Sequence, residues 1–193
     1  MKNTIKSVLI LVVAFSAASF TNTIMEKKID VKSSSIAWTG KKVLGSHNGT
    51  IKLKSGHLNM DGDKLTGGEF VVDMTTINVT DLSGESKGKL EGHLKSDDFF
   101  GIENNPTAKL VITKATKNTG ANEEGYSIDG DLTIKGTTNP IKFNMVIIDN
   151  TASSTLKVDR TKYGVRYGSG SFFDNLGDNT IDDIFELDVT LKF

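Results

Sequence analysis

The chain has no cysteine among its 193 residues, and it contains only two prolines and two arginines. Without cysteine there are no disulfides, thiolate metal ligands or thiol nucleophiles, so stability must come from a hydrophobic core. A chain of this length can bury such a core within a single domain. The 23 basic residues are balanced by 24 acidic ones, so the composition does not favour nucleic acid or an acidic membrane surface as a partner.

Sequence motifs of common enzymes and cofactor sites are absent as well. There is no HExxH, GxSxG, P-loop or dinucleotide-binding glycine motif. The acidic cluster between Asp174 and Asp183 lacks the spacing of a calcium loop, and its residue types are typical of turns. Acidic residues are plentiful, so a pair of catalytic carboxylates stays open at this point. The sequence favours a protein that is not an enzyme and that has neither a metal site nor a cofactor.

The first residues have the pattern of a secretory leader. Lys2 and Lys6 precede an apolar run over residues 8–15, and small residues follow at 16–19. The run is far shorter than the roughly 20 residues of a membrane span, so we expect no stable membrane insertion. The sequence predicts a signal peptide over residues 1–19, a mature domain over 20–193, and a periplasmic or secreted location.

Strict alternation of apolar and polar residues dominates the rest of the chain. Its clearest example is the C-terminal segment, whose apolar positions are Phe185, Leu187, Val189, Leu191 and Phe193. A strand with one face in the core and one face in water produces this pattern. Turn signals separate such segments at Ser55-Gly56, Asp61-Gly62-Asp63, Asn118-Thr119-Gly120, Lys135-Gly136 and Asp149-Asn150. Many short strands with hairpin connections predict an all-β sandwich or an antiparallel up-and-down barrel.

Residues 81–100 break the alternation and predict one short amphipathic helix. Leu90 and Leu94 are four residues apart and the positions between them are polar or glycine. Gly84, Gly88 and Gly92 each weaken a helix by about 1 kcal/mol relative to alanine, so this element should depend on packing. We expect it to lie across one end of the barrel.

Candidate binding residues cluster in the segment 158–173. Arg160, Tyr163 and Tyr167 combine a forked donor with phenol rings, which suits the polar head of a ligand. The alternative is an edge strand whose tyrosines only cover the end of the barrel. His47 lies between two glycines, where it is either a turn residue or a ligand contact. The remaining histidines, His57 and His93, are expected to be solvated.

Several segments together resemble the YceI-like family of secreted, lipocalin-like proteins. The resemblance covers nearly the whole chain after the leader, in matching order and spacing. The segments that carry it are G-S-H-x-G at 45–49, GGEFVVDMTTINVTD at 67–81, HLKSDDFFGIENNPTAKLVI at 93–112, GDLTIKGTTNPIKF at 130–143, R-x-x-Y-G at 160–164 and IDDIFELDVTLKF at 181–193.

This resemblance implies an extended eight-stranded antiparallel barrel with one inserted helix. It also implies a carrier or store for a polyisoprenoid or related long-chain lipid, and it allows a homodimer. Trp38, Phe99, Phe100 and Phe143 are candidates for contact with the tail or the tunnel rim, although Trp38 could equally be a packed core ring. Two other readings stay open: a structural or stress-related module with a filled core, and an extracytoplasmic enzyme acting on an apolar substrate.

Overall fold

The computed structural model describes residues 24–119 and 125–193. The predicted signal peptide and the end of the turn predicted at Asn118-Thr119-Gly120 lie outside these ranges. The described part contains nine strands and one α-helix. They are β1 (Met25–Lys28), β2 (Asp30–Lys42), β3 (Gly45–Asp61), β4 (Lys64–Val79), α1 (Gly84–Lys95), β5 (Thr107–Lys117), β6 (Tyr126–Ile134), β7 (Thr137–Ile148), β8 (Thr151–Asp159) and β9 (Ile181–Lys192).

The strands close into an antiparallel barrel. Each strand from β2 to β9 pairs with its neighbours in the chain, and β2 also pairs with β9, where Ile36 lies opposite Val189. The short strand β1 pairs with β3, as β2 does, so the two act as one interrupted strand of the wall. The result is a closed eight-stranded barrel with one helix, which confirms the predicted all-β up-and-down fold.

The alternation seen in the sequence becomes the inside and outside of this wall. Ile141, Phe143 and Met145 of β7 are buried, whereas the intervening Lys142 and Asn144 are exposed. Since side chains of a strand point alternately to its two faces, the apolar residues of every strand meet inside the barrel. The core is therefore the interior of one closed sheet.

The turn predicted at Ser55-Gly56 is wrong. Strand β3 runs unbroken through this site, with a register irregularity between Leu53 and Ser55. Gly56 is needed for close packing, because a Cβ there would lie 2.7 Å from a ring carbon of Phe70 and 3.3 Å from Ile29. A glycine inside a strand marks such a close approach as often as it marks a turn.

The two ends of the barrel differ. The helix α1 and the long connection from β8 to β9 lie at one end, together with the β2–β3 and β6–β7 turns; we call this the α1 end. The opposite end holds the β3–β4 and β7–β8 turns and both described chain ends. Phe193 is tied there by its backbone N–H, which donates to the carbonyl of Asn150 at 3.0 Å.

Helix α1 confirms the predicted helix but is loosely held. None of its residues is buried, and Ser83 at its N-cap makes no side-chain hydrogen bond. Glu91 anchors it by accepting a hydrogen bond from the Val79 backbone N–H at 2.9 Å, which holds the pKa of Glu91 below its usual value despite partial desolvation. Among the described residues, no helix is long and apolar enough to cross a membrane.

Candidate functional site

An apolar cavity of about 180 Å³ lies inside the barrel. Side chains from β2, β3, β4, β5, β6, β7, β8 and β9 and from the α1 connection form its wall. The aliphatic and aromatic members include Ile36, Trp38, Leu53, Phe70, Val72, Met74, Leu94, Phe99, Phe100, Leu132, Phe143, Leu156, Phe185, Leu187, Val189 and Leu191. The interior of this barrel is thus not completely filled by its own side chains.

The cavity is elongated along the strands. Ile181 at the start of β9 and Leu191 near its end both line it, as do Phe185, Leu187 and Val189 between them. Ten residues of strand span roughly 33 Å at the usual rise per residue. The residues that line the cavity therefore extend along most of the length of β9.

The aromatic residues predicted to contact a tail all line the cavity: Trp38, Phe99, Phe100 and Phe143. The indole N–H of Trp38 donates to the Thr50 carbonyl at 3.3 Å. Its ring lies across Gly49, the opposite residue of β3, where a Cβ would collide with the indole and with the Asn78 carbonyl. Trp38 is therefore both a packed ring and part of the cavity wall.

Arg160 lines the cavity at the α1 end but is only 2 % exposed. Its Nη1 donates to the carbonyls of Val165 at 3.0 Å and Tyr167 at 2.9 Å. Its Nε donates to the Asp182 carbonyl and its Nη2 to the Ile181 carbonyl, both at 3.0 Å. The guanidinium thus binds the two ends of the β8–β9 connection together.

The remaining N–H group of the guanidinium, on Nη2, faces the acidic side chain of Asp183. Arg160 Nη2 lies 3.5 Å from Asp183 Oδ1, and Ser171 donates to Asp183 Oδ2 at 2.6 Å. Burial alone would raise the pKa of Asp183, but hydrogen bonds from Ser169 and Ser171 and the charge of Arg160 hold that pKa below its usual value. A head-group contact to Arg160 would have to replace one of these partners, since an arginine has five N–H donors.

The two tyrosines of the predicted head-group site differ in burial. Tyr163 is buried in the core, and burial raises the pKa of its phenol, with a further contribution from Asp159. Tyr167 is 50 % exposed at the α1 end. Among the described residues, the cavity wall includes Arg160 but not Tyr163, Tyr167 or His47. The predicted trio is therefore close in sequence without forming one cluster of free polar groups.

His47 is paired with an acidic residue on the outer part of the α1 end. Its Nδ1 lies 2.7 Å from Asp81 Oδ2, and the Asn48 backbone N–H donates to Asp81 Oδ1 at 3.1 Å. Desolvation alone would raise the pKa of Asp81, but the hydrogen bonds from His47 and Asn48 outweigh it and hold that pKa below its usual value. The pair joins the start of β3 to the segment that leads into α1.

Replacement of Asp81 by alanine is expected to destabilise the protein by about 1 kcal/mol at pH 7. Because the pKa of Asp81 is lowered in the folded state, its contribution is present above about pH 4 and disappears as the pH falls through the folded value. Urea unfolding of both proteins at pH 7 and pH 3 measures this difference. The difference in free energy of unfolding between wild type and Asp81→Ala should be smaller at pH 3 than at pH 7. Asp178→Ala, at an exposed position, is the control and should show no such difference. A deficit equal at both pH values would contradict the assignment.

The side chain of His93 is half-buried and its Nε2 is buried, so the prediction of a solvated ring is wrong. Its ring packs edge-on against Tyr167, with centroids 4.3 Å apart, and against Phe99 at 5.4 Å. Its Nε2 is fully buried and has no hydrogen-bond partner. The charged residues around His93 in the helix sequence suggested a ring in water. The contact that covers the ring comes from Tyr167 in the β8–β9 connection, which is distant in sequence. The paired aromatics at 99–100, close after His93 in the chain, were the signal in the sequence that could have indicated a cluster.

A closed antiparallel barrel with an elongated apolar cavity, capped at one end by a helix, defines a class of barrel proteins with room for an apolar ligand. Residues 28–193 match the YceI-like domain family. The chain belongs to this YceI-like family, which confirms the resemblance drawn from its motifs.

Curated relatives cover part of the chain. A UPF0312 protein of Pseudomonas putida (strain W619) is 33 % identical over 96 residues, which are 50 % of this chain and 46 % of the relative. A UPF0312 protein of Serratia proteamaculans (strain 568) is 31 % identical over 100 residues, or 52 % and 48 % of the two chains. The chain thus spans about half the length of the curated relatives that it matches.

Solved structures share the fold at low sequence identity. BcnA of Burkholderia cenocepacia superposes with a TM-score of 0.64 at 18 % identity, over 84 % of this chain and 98 % of the other. A polyisoprenoid binding domain from Saccharophagus degradans, implicated in plant cell wall breakdown, gives a TM-score of 0.56 at 14 % identity, over 88 % and 97 %. At such identities the likeness concerns the fold alone.

Proposed function

We propose that this protein binds a long apolar ligand, a polyisoprenoid or a related lipid, inside its barrel. The observation that carries the proposal is the elongated apolar cavity that follows β9 from Ile181 to Leu191. Each Å² of ligand surface removed from water contributes about 25 cal/mol, from which the costs of ordering the ligand are subtracted. The Saccharophagus degradans domain, named for polyisoprenoid binding, supports the same class of ligand.

The filled-core module is less well supported. That reading requires inward side chains that occupy the whole interior, whereas small residues such as Ala108 and Ser154 help to line an open cavity here. Catalysis on an apolar substrate would require a polar group with a shifted pKa inside the cavity. The shifted pKa of Arg160 belongs to a group engaged by backbone carbonyls. We therefore propose binding without catalysis.

The leader-like segment supports a place for this activity outside the cytoplasm. We propose a periplasmic or secreted carrier or store, acting after removal of residues 1–19, and a homodimer is compatible with it. Native mass spectrometry of the protein purified from its own host tests both the ligand and the oligomeric state. A co-purified lipid with a long hydrocarbon chain is the expected result.

Obstruction of the cavity is expected to weaken uptake of an isoprenoid by more than about tenfold. Ala108 lines the cavity on β5, so Ala108→Phe fills space that the ligand needs, at a cost of about 1–3 kcal/mol for overpacking. The same substitution at Ala37, an exposed residue of β2, is the matched control. Fluorescence displacement with a polyene probe measures both variants. Equal affinities for the two would argue against ligand binding in the barrel.

A further inference from the structure

An unpaired polar atom lies beside the apolar cavity at the α1 end. Among the described residues, two buried side-chain polar atoms lack a hydrogen-bond partner, His93 Nε2 and Asp183 Oδ1. Asp183 is compensated by its ion pair with Arg160 at 3.5 Å. No comparable charge or hydrogen bond compensates His93. A buried polar group without a partner destabilises a protein, so such a group calls for an explanation.

The position of His93 links it to the cavity. His93 is not itself among the residues that line the cavity, but the next residue, Leu94, lines it, and so does Phe99, whose ring centroid is 5.4 Å from that of His93. The other ring in contact with His93 is that of Tyr167, which is half exposed at the α1 end. A ligand whose tail fills the cavity would therefore bring its polar end close to this imidazole.

We propose that His93 Nε2 is the hydrogen-bonding contact for an uncharged polar head group, such as a hydroxyl, carbonyl or amide, of the lipid bound in the cavity. This inference rests on the proposed function and specifies the ligand class. A neutral imidazole nitrogen donates or accepts according to its tautomer, so it can serve any of these groups.

The surroundings of His93 disfavour an anionic head group. The guanidinium of Arg160 faces the Phe99 ring at 5.7 Å, but its N–H donors are already directed at four carbonyls and at Asp183. Arg166 stacks on Phe172 at 4.6 Å on the exposed loop. An anion that entered this aromatic cluster would lose its water while the N–H donors of Arg160 stayed engaged with other partners, which is unfavourable.

The test compares three ligands of equal chain length: geranylgeraniol, the same hydrocarbon without the hydroxyl, and geranylgeranyl diphosphate. The wild-type protein should bind the alcohol most tightly. His93→Phe keeps an aromatic ring but removes the nitrogen, so affinity for the alcohol should fall by about five- to tenfold while affinity for the hydrocarbon changes less than about twofold. His93→Gln, which retains a donor and an acceptor, should keep most of the alcohol affinity.

Two further measurements separate this role from a structural one. The His93→Phe protein should unfold at the same or a higher temperature, because it no longer buries an unpaired nitrogen. The imidazole nitrogen signals of His93 should shift in NMR spectra when the alcohol binds and should shift much less with the hydrocarbon. His57→Phe, on the outer face of β3, is the control and should change neither affinity.

Each outcome decides the inference. Equal effects of His93→Phe on alcohol and hydrocarbon, or no effect on either, overturn it while the proposed function stands. A preference for the diphosphate overturns the assignment of an uncharged head group. If the wild-type protein binds none of the three compounds, the proposed function is overturned, and this inference with it.

Discussion

The replacement Arg160→Met is expected to lower the free energy of unfolding by about 3–5 kcal/mol, the typical cost of breaking a buried ionic cluster. Methionine can fill much of the volume, but it donates no hydrogen bond. The carbonyls of Val165, Tyr167, Ile181 and Asp182 would each lose a donor. In a chain of this size, such a loss corresponds to a fall in Tm of roughly 10 °C or more.

The pH dependence of this loss gives a second measurement. Arg160 helps to hold the pKa of Asp183 low, so the carboxylate stabilises the wild-type fold above about pH 4 and loses that effect as the pH falls through its folded pKa. In Arg160→Met the pKa of Asp183 should rise. Calorimetry at pH 7 and pH 3 should therefore show a smaller difference between the two proteins at the lower pH.

Arg166→Met is the matched control for this substitution. Arg166 is exposed, and its guanidinium stacks on the ring of Phe172. Its loss should cost less than about 1 kcal/mol. Comparable Tm values for the two variants would contradict the role assigned to Arg160 as the clamp of the β8–β9 connection.

The double replacement Gly88→Ala and Gly92→Ala is expected to stabilise helix α1 by about 2 kcal/mol. Both glycines have room for a Cβ, with no atom within 4 Å of its position, so packing does not require them. The gain arises because alanine has less backbone entropy than glycine in the unfolded chain, so less entropy is lost when the helix forms. It corresponds to about a thirtyfold fall in the fraction of molecules with an open helix.

Hydrogen exchange of the α1 amides measures this change directly. If ligand passes beneath α1, release of a bound isoprenoid should slow by a similar factor. Lys89→Ala, at an exposed position of the same helix, removes only the ion pair with Glu85 and is the control. Stronger protection of the helix amides with unchanged ligand release would show that the ligand uses another route.

The fold followed from the sequence because alternation is a local property. Strands β5 to β9 carry most of their apolar residues at every second position, with exceptions such as Val111 and Val146. The turns at Lys135-Gly136 and Asp149-Asn150 form at the dipeptides that predict them. Gly56 misled because the same residue type serves a turn and a close approach of Phe70. Only the tertiary structure distinguishes these two uses.

The candidate site was less predictable, since its chemistry depends on contacts between distant segments. The aromatic residues at 99–100 and Phe143 line the cavity, as their apolar character led us to expect, and their contact with a ligand stays a prediction. Arg160 was expected as a free donor, but the conformation of the β8–β9 connection directs its N–H groups at carbonyls. His93 was missed because Tyr167 covers it from that same connection. The volume inside a barrel depends on every inward side chain at once, so alternation alone cannot reveal a cavity.

The two described chain ends lie on the side of the barrel opposite α1, near Met25 and Phe193. A fusion partner, an affinity tag or a tether joined directly at Met25 or Phe193 would therefore be attached on the side away from the helix and from His93. A protein immobilised on a sensor surface in this way presents its capped face to the solution. The proposed uptake of a lipid from vesicles can then be tested without the attachment itself obstructing that face.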